Sequence, residues 1–184
     1  NNYAGIGGSG DRTMEAWINS TVANKEIISW GVNSSTEKWS FRINGNGTIR
    51  AEVNGGFIYG TTLVDDGQWH HVACVLTGNN IANAQLYVDG VLETVGASQG
   101  QTVNTSTSTN LNIGYGRNNT YFDGNIDEVR IWNAALSGAT LQDWIYQKVD
   151  AAHPNYSDLE LYYPLNEGSG DAITDYSSNG HDGM

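Results

Sequence analysis

Residues 122–133, FDGNIDEVRIWN, decide the fold because they have the pattern of a β-strand with two different faces. Side chains alternate between the faces of a strand. The alternation predicts two sets, one of Ile126, Glu128, Arg130 and Trp132 and the other of Asp127, Val129 and Ile131. Asp127 then leads an otherwise apolar face, where burying an ionised carboxylate is costly without a partner. We therefore expect Asp127 to meet a metal ion or backbone N–H groups.

The segments that surround this strand show the same two-residue period. In residues 38–53, apolar side chains oppose apolar ones only if Ile43 pairs with Ile49, which leaves a three-residue loop with Gly47 in the left-handed conformation. Asp89 and Gly90 form a signal for a tight type I′ turn between two further strands. Many short strands joined by Gly and Asn turns predict an all-β sandwich.

One short helix is expected after the central strand. Ser137 is a suitable N-cap, and Leu141, Trp144, Ile145 and Lys148 follow at helical spacing. The helix should cover one sheet, with Trp144 and Ile145 as core contacts. Elsewhere, the alternation of Trp39 and Tyr59 with polar residues favours the core for both side chains, although a ligand-binding face is the other possibility.

Length and composition limit the functional classes. The chain has 184 residues, 39% of them hydrophobic, which is enough for one domain spanning residues 1–184. A net charge of -12 and a pI near 4.4 argue against nucleic acid as a partner. No segment reaches the length of apolar sequence that membrane insertion requires. The acidic surface is compatible with cation binding, and its other explanation is solubility alone.

Three segments carry a family resemblance: residues 69–73 (WHHVA), 86–91 (LYVDGV) and 124–136 (GNIDEVRIWNAAL). In this order they resemble the signatures of laminin-G-like, concanavalin A-like jelly-roll domains. The resemblance implies a two-sheet antiparallel jelly roll used as a non-catalytic binding or adhesion module in large secreted or cell-surface proteins. The expected partners are a glycan or a cell-surface or matrix ligand, together with other domains of a longer parent protein.

Residues 158–184 are harder to place. They resemble the segment that usually opens such domains. They supply either a closing edge strand for this sandwich or the start of a following repeat. An exposed apolar strand invites aggregation, and this favours pairing within the domain.

The candidate ligand-binding residues lie in the loop before the central strand. They combine flat aromatic rings with planar hydrogen-bonding groups, which suits sugars: Tyr115, Arg117, Asn118, Asn119 and Tyr121. The alternative is a loop that only solvates the rim of the sandwich.

A structural Ca²⁺ is the expected cofactor. The resemblance implies Asp127 as a ligand, completed by backbone carbonyls and by an acidic residue of the domain-opening segment, here Glu167 or Asp175. The rival is a metal-free Asp127 that accepts backbone N–H bonds. We expect no catalytic residues, because alternation places Asp127 and Glu128 on opposite faces, where they cannot flank one glycosidic bond. The remaining alternatives are a structural spacer in a surface adhesin and an accessory module of a secreted polysaccharide hydrolase.

Overall fold

The period-two segments form strands in the computed structural model, which describes residues 3–116 and 120–184. The strands in the described part are β1 (Arg12–Ser20), β2 (Glu26–Gly31), β3 (Lys38–Ile43), β4 (Thr48–Val53), β5 (Gly56–Leu63), β6 (Trp69–Leu76), β7 (Gln85–Val88), β8 (Val91–Leu92), β9 (Ala97–Gln99), β10 (Asn112–Ile113), β11 (Tyr115–Gly116), β12 (Thr120–Tyr121), β13 (Gly124–Trp132) and β14 (Leu159–Tyr163).

Two six-stranded sheets pack face to face. Sheet I has the strand order β14-β13-β1-β6-β7-β8, and sheet II has the order β10-β2-β3-β4-β5-β9. Strands β11 and β12 form a small separate pair. Neighbouring strands of the described chain pair antiparallel. The predicted all-β, two-sheet antiparallel jelly-roll sandwich is confirmed.

The core lies between the inner faces of the two sheets. Large side chains from both sheets are fully buried there, including Trp30, Trp39, Phe41 and Met14. The rings of Trp30 and Trp39 stack with their centroids 5.5 Å apart. Each buried side chain of this size contributes about 1.5–3 kcal/mol to the free energy of folding. The placement of Trp39 in the core is therefore as predicted.

The register of the β3–β4 hairpin is also as predicted. Ile43 pairs with Ile49, and Gly47 has a φ of +83° in the three-residue loop. Asp89 and Gly90 both have positive φ, as a type I′ turn requires. In both hairpins, local turn chemistry and apolar pairing are sufficient to fix the register.

Helix α1 (Gly138–Trp144) begins after its N-cap Ser137, whose hydroxyl accepts the backbone N–H of Thr140 at 3.0 Å. Leu141 and Ile145 are buried on the outer face of sheet I. They belong to the segment that covers that face, where Trp132, Leu136 and Leu141 are part of a second apolar cluster. The predicted covering helix is thus confirmed, although it ends before Lys148 and Trp144 is only partly buried.

Strand β14 pairs with β13 at the edge of sheet I, with Ile131 opposite Leu161. The C-terminal residues protect this edge: the backbone N–H of Tyr162 donates to the Asp175 carboxylate, and the Tyr162 carbonyl accepts the N–H of Tyr176. Asn179 adds a side-chain bond to the Leu159 carbonyl. Residues 159–179 therefore both extend the sheet and close its edge.

Candidate functional site

Strand β13 contains a β-bulge at Glu128. Glu15 pairs with Arg130 and Trp17 pairs with Asp127, so Ala16 faces two residues of β13 rather than one. Glu128 has a φ of +50°, the left-handed conformation that residues other than glycine seldom adopt. The strand keeps its pairing by accommodating one extra residue.

The bulge changes which side chains share a face, and it corrects two predictions. Val129 and Ile131 point into the core, whereas Asp127 does not share their face. Asp127 and Glu128 instead line the same cleft on the outer face of sheet I. The expectation that they occupy opposite faces was wrong, because strict alternation does not hold across a bulge. The expectation that Asp127 sits among apolar side chains was wrong for the same reason.

Beneath the cleft lies a buried polar network centred on Glu15. Its carboxylate is 2.9 Å from Nε2 of His71 and accepts a 3.0 Å bond from Nε1 of Trp132. Burial by itself raises the pKa of Glu15, but the hydrogen bond from His71 and the charge of Arg130 outweigh it and hold the pKa at about 2. His70 lies on the other face, bonded to Asp66 and Asp89. Both histidines are hydrogen-bonded, as predicted.

Arg130 connects this network to the cleft. Its guanidinium donates to the Glu128 carboxylate at 2.7 Å and to the carbonyls of Trp144 and Gln147 at 3.2 and 2.8 Å. The hydroxyl of Tyr162 donates to the same Glu128 oxygen at 2.8 Å. Arg130 is almost fully buried, so it fixes both the Glu128 side chain and the backbone that follows helix α1.

The cleft itself has a volume of about 430 Å³. We call it the aromatic cleft and define it by Trp17, Trp69, Asp127, Glu128 and Tyr146. Trp69 is 46% exposed and Tyr146 is 82% exposed. Partial burial and the neighbouring Glu128 charge raise the pKa of Asp127 above its ordinary value. None of the three aromatic residues was predicted from the sequence to contact a ligand, since exposure of a ring on a sheet depends on what covers that sheet.

The three residues predicted as calcium ligands have different surroundings. Asp175 accepts hydrogen bonds from four donors: the backbone N–H groups of Tyr162, Ser177 and His181 and the Ser177 hydroxyl. Its carboxylate is therefore occupied by donors and does not fit a metal without losing these bonds.

Glu167 is exposed and accepts the N–H of Thr174 at 2.8 Å, while Asp127 accepts the N–H of Glu128 at 2.9 Å. In residues 3–116 and 120–184, no group of three or more His, Cys, Asp or Glu side chains has an arrangement that could hold a metal ion. Asp127, Glu167 and Asp175 therefore do not form one cluster. Calcium at Asp127 with backbone carbonyl ligands stays a prediction.

Of the predicted sugar-binding residues, the structure describes Tyr115 and Tyr121, which lie beside sheet II. The rings of Tyr115 and Tyr121 are 4.8 Å apart, and Tyr121 is 63% exposed. The Ser29 hydroxyl donates to the Tyr115 carbonyl at 2.8 Å, which joins the loop to β2. The other predicted residues, residues 117–119, lie outside the described residues. Tyr115 is thus joined to β2, next to the edge strand β10 of sheet II.

That outer face carries a group of charged residues that sequence analysis did not select. Glu52 on β4 forms ion pairs with Lys38, with Arg42 at 3.3 Å and with Arg50 at 2.6 Å. The Arg50 guanidinium lies 4.1 Å from the centre of the Phe57 ring. We call these five residues the basic face. The alternation along β3 and β4 could have indicated from the sequence that these charges share a face. The charged residues that alternate with core residues are Lys38, Arg42, Arg50 and Glu52.

Two further side chains shape the basic face. The ring of Tyr59 stacks against Phe57 at 6.0 Å with an interplanar angle of 10°. Tyr59 lies on the outer face because its neighbour Ile58 occupies the core, so the prediction of a core position for Tyr59 was wrong. Glu26 is buried beside Ser40, whose hydroxyl donates to its carboxylate. Burial raises the pKa of Glu26 to about 7.

This architecture is a two-sheet antiparallel jelly roll with one covered outer face. The sequence profile of the concanavalin A-like lectin/glucanase superfamily, in its laminin G form, matches residues 2–142. The chain therefore belongs to this superfamily. A comparison with curated proteins found no significant match.

Solved structures with the same fold come from several kinds of protein. A Bacteroides ovatus protein to which carbohydrate binding is attributed is 22% identical, with a TM-score of 0.72, over 95% of this chain and 51% of that one. Domains LG4-5 of the mouse laminin α1 chain are 18% identical, with a TM-score of 0.52, over 74% of this chain and 41% of theirs. The present chain thus spans about half the length of these two proteins or less.

The CBM40 domain of the Ruminococcus gnavus IT-sialidase, solved with α2,3-sialyllactose, is 16% identical, with a TM-score of 0.54, over 75% of this chain and 83% of that one. At these identities the similarity shows the fold. In the described part of the chain, no helix has the length and apolarity needed to cross a bilayer.

Proposed function

We propose that this chain is a non-catalytic carbohydrate-binding module of a secreted or cell-surface protein, and that its basic face takes acidic sugars. One observation carries the proposal. Three of the eight Lys and Arg residues of a chain with a net charge of -12 gather around a single carboxylate on one sheet face.

The charges of the basic face favour an anionic ligand. Glu52 balances only one of the three cations, Lys38, Arg42 and Arg50, so the group keeps an excess positive charge. Arg50 uses its Nε to bond Glu52, and the other two guanidinium nitrogens have no hydrogen bond to the described residues. An arginine with free N–H donors on a planar fork is suited to a carboxylate or sulfate group.

Phe57 of the basic face and the neighbouring Tyr59 favour a sugar as the carrier of that anionic group. Phe57 lines a cavity of about 220 Å³ together with Lys38, Arg50 and Gln99, and the ring of Tyr59 stacks against Phe57. Aromatic rings contact the apolar C–H faces of a sugar, while the amide and the cations bond its oxygen atoms. An inorganic anion would not need the rings.

Proteins of the same fold support this class of ligand. The Ruminococcus gnavus CBM40 domain was solved with sialyllactose, in which sialic acid carries a carboxylate. Carbohydrate binding is also attributed to the Bacteroides ovatus protein. Acidic glycans of cell surfaces and extracellular matrix fit the same chemistry.

A glycan array that contains acidic and neutral oligosaccharides tests the proposal. We expect binding to acidic members, and Arg50→Ala should lower that affinity at least about tenfold through loss of a charge-assisted hydrogen bond. Lys148→Ala removes the same charge on the other side of the sandwich and should leave the affinity unchanged. The proposal would be contradicted if no acidic oligosaccharide on the array is bound, or if the wild type and Arg50→Ala bind with equal affinity.

The absence of catalysis is a separate part of the proposal. Asp127 and Glu128 are consecutive on one strand and approach a ligand from the same side, whereas an acid and a nucleophile must flank the scissile bond. We therefore expect no new reducing ends when the protein is incubated with the oligosaccharides it binds. Turnover that is lost in Glu128→Gln would show the module to be a hydrolase.

A further inference from the structure

We propose that the aromatic cleft is a second sugar site, which takes neutral oligosaccharides. It lies on sheet I, on the opposite side of the sandwich from the basic face. The juxtaposition of exposed rings with carboxylates in one cleft carries the inference. It rests on the proposed function only for the chemical class of the ligand.

The aromatic rings provide a stacking surface. Trp69 and Tyr146 expose large apolar areas in one cleft, and neighbouring exposed apolar groups of this kind mark binding sites more often than isolated ones do. The third ring is held in place, because Nε1 of Trp17 donates to the Ile145 carbonyl at 3.2 Å. Trp17 and Tyr146 lie 5.5 Å apart at an interplanar angle of 40°. The apolar face of a hexose ring can stack on such a surface.

The carboxylates provide acceptors for sugar hydroxyls. Oδ1 of Asp127 accepts one backbone N–H, and Oε2 of Glu128 accepts bonds from Arg130 and Tyr162. Within the described residues, Oδ2 of Asp127 and Oε1 of Glu128 have no hydrogen-bond donor. Each can accept a hydroxyl of a ligand, while the paired negative charges disfavour a carboxylate or sulfate.

The site is organised before a ligand arrives. Arg130, which is 2% exposed, bonds both the Glu128 side chain and the carbonyls of Trp144 and Gln147. The backbone that carries Tyr146 is therefore tied to the strand that carries the carboxylates. A ligand then loses little affinity to the ordering of the protein.

Rings and carboxylates also form sites for quaternary ammonium ions, but two features favour a neutral sugar here. Trp17 and Tyr146 pack against each other and so do not enclose a cation between them. Lys148 lines the same cleft and opposes a cationic ligand, whereas the Arg130 charge is already paired with Glu128. The combination of acceptors, cations and an open ring surface suits an uncharged polyol.

Isothermal titration calorimetry with neutral hexasaccharides of glucose, mannose, galactose and xylose, with 3′-sialyllactose, and with choline tests the proposal. We expect a neutral hexasaccharide to bind, with affinity at least about tenfold lower in Trp69→Ala. Asp127→Asn should also weaken it, whereas Trp69→Phe should keep most of it. Leu63→Ala, an exposed apolar side chain outside the cleft, serves as the control.

Each outcome has a separate meaning. Neutral binding that is lost in Trp69→Ala and kept in Arg50→Ala supports the second site. Neutral binding that is lost in Arg50→Ala and kept in Trp69→Ala overturns it, as does binding of choline without any neutral hexasaccharide. Binding of 3′-sialyllactose alone, sensitive to Arg50→Ala, overturns the cleft proposal and leaves the proposed function intact. Absence of all binding overturns both.

Discussion

The basic face and the aromatic cleft lie on opposite sides of one sandwich and have opposite chemistry. On sheet II, three cations surround the single carboxylate of Glu52. On sheet I, the carboxylates of Asp127 and Glu128 lie beside exposed Trp69 and Tyr146. The net charge of -12 describes neither region. The overall charge of the chain therefore does not indicate the local charge of either face.

The two regions also differ in how they are built. The basic face is a product of regular alternation, in which residues of β3 and β4 point outward at every second position. The aromatic cleft depends on an irregularity, the bulge at Glu128, which brings consecutive carboxylates to one face. Regular strands place residues by sequence spacing, whereas a bulge places them according to the partner strand.

The largest expected effect on stability comes from removing β14, the edge strand of sheet I. Truncation after Asn155 removes β14, in which Leu159, Leu161 and Tyr162 are buried, and it exposes the edge of β13. We expect the free energy of unfolding to fall by at least about 4 kcal/mol, which thermal and urea denaturation will show.

Two point variants serve as matched controls for this truncation. Leu161→Ala should cost about 2–5 kcal/mol through a cavity in the core. Glu160→Ala, on the same strand, should change stability by less than about 0.5 kcal/mol. If the truncated protein melts at the same temperature as the full chain, residues 158–184 belong to a following repeat.

The next effect is on sheet II and depends on pH. The folded state raises the pKa of Glu26 from 4.5 to about 7, so the folded state binds its proton more tightly than the unfolded state. This contribution to stability is fully present below pH 4.5 and is lost as the pH rises through 7. Glu26→Gln should remove up to about 3 kcal/mol of pH dependence across this range in urea denaturation.

Charged neighbours of Glu26 link this titration to binding. Arg42, Lys38 and Glu52 act on its carboxylate, so its protonation below pH 7 makes the basic face more positive. Affinity for acidic glycans should then fall as the pH rises, and Glu26→Gln should flatten the profile. Glu160→Gln makes the same change on sheet I and should leave the profile as it is. A pH profile of Glu26→Gln that matches the wild type would show that Glu26 does not titrate in this range.

A smaller effect is expected from ionic strength, which should change glycan affinity differently at the two regions. Raising NaCl from about 50 to about 200 mM shortens the range of electrostatic interactions and should weaken acidic-glycan binding at the basic face several-fold. Neutral-glycan binding at the aromatic cleft should change less than about twofold, because stacking does not depend on net charge. Titration calorimetry at both salt concentrations measures this. Equal salt dependence at the two sites would mean that they do not differ in charge as described.

Much of the fold could be predicted from the sequence because local patterns agree with tertiary pairing. Ile43 and Ile49 define a hairpin register, and Ser137 marks the start of a helix, through interactions within a few residues of each other. The same alternation also indicates that Lys38, Arg42 and Arg50 point outward. That all three lie around the single carboxylate of Glu52 follows only from the register between β3 and β4.

The candidate cleft could not be predicted in the same way. A positive φ at Glu128 has no local signal, since the residue is not glycine, and it arises from pairing with β1, more than 100 residues earlier in the chain. Whether Trp69 is covered or exposed depends on where the segment after helix α1 lies. Both features are consequences of long-range packing, and single-sequence patterns contain little information about it.

The smallest expected effect concerns calcium at Asp127. Its bulged position removes the physical reason for expecting a metal there, and the family resemblance is the support that remains. With a dissociation constant of about 1 mM, about 2 mM Ca²⁺ would stabilise the protein by about 0.6 kcal/mol and raise the melting temperature by about 2 °C. Asp127→Ala should abolish that rise. Asp175→Asn should lower stability with or without calcium, because the Asp175 carboxylate accepts four hydrogen bonds at the edge of β14. If EDTA leaves both the melting temperature and neutral-glycan binding unchanged, the proposed site in the aromatic cleft needs no metal, and the two proposed sugar sites differ by charge and ring exposure alone.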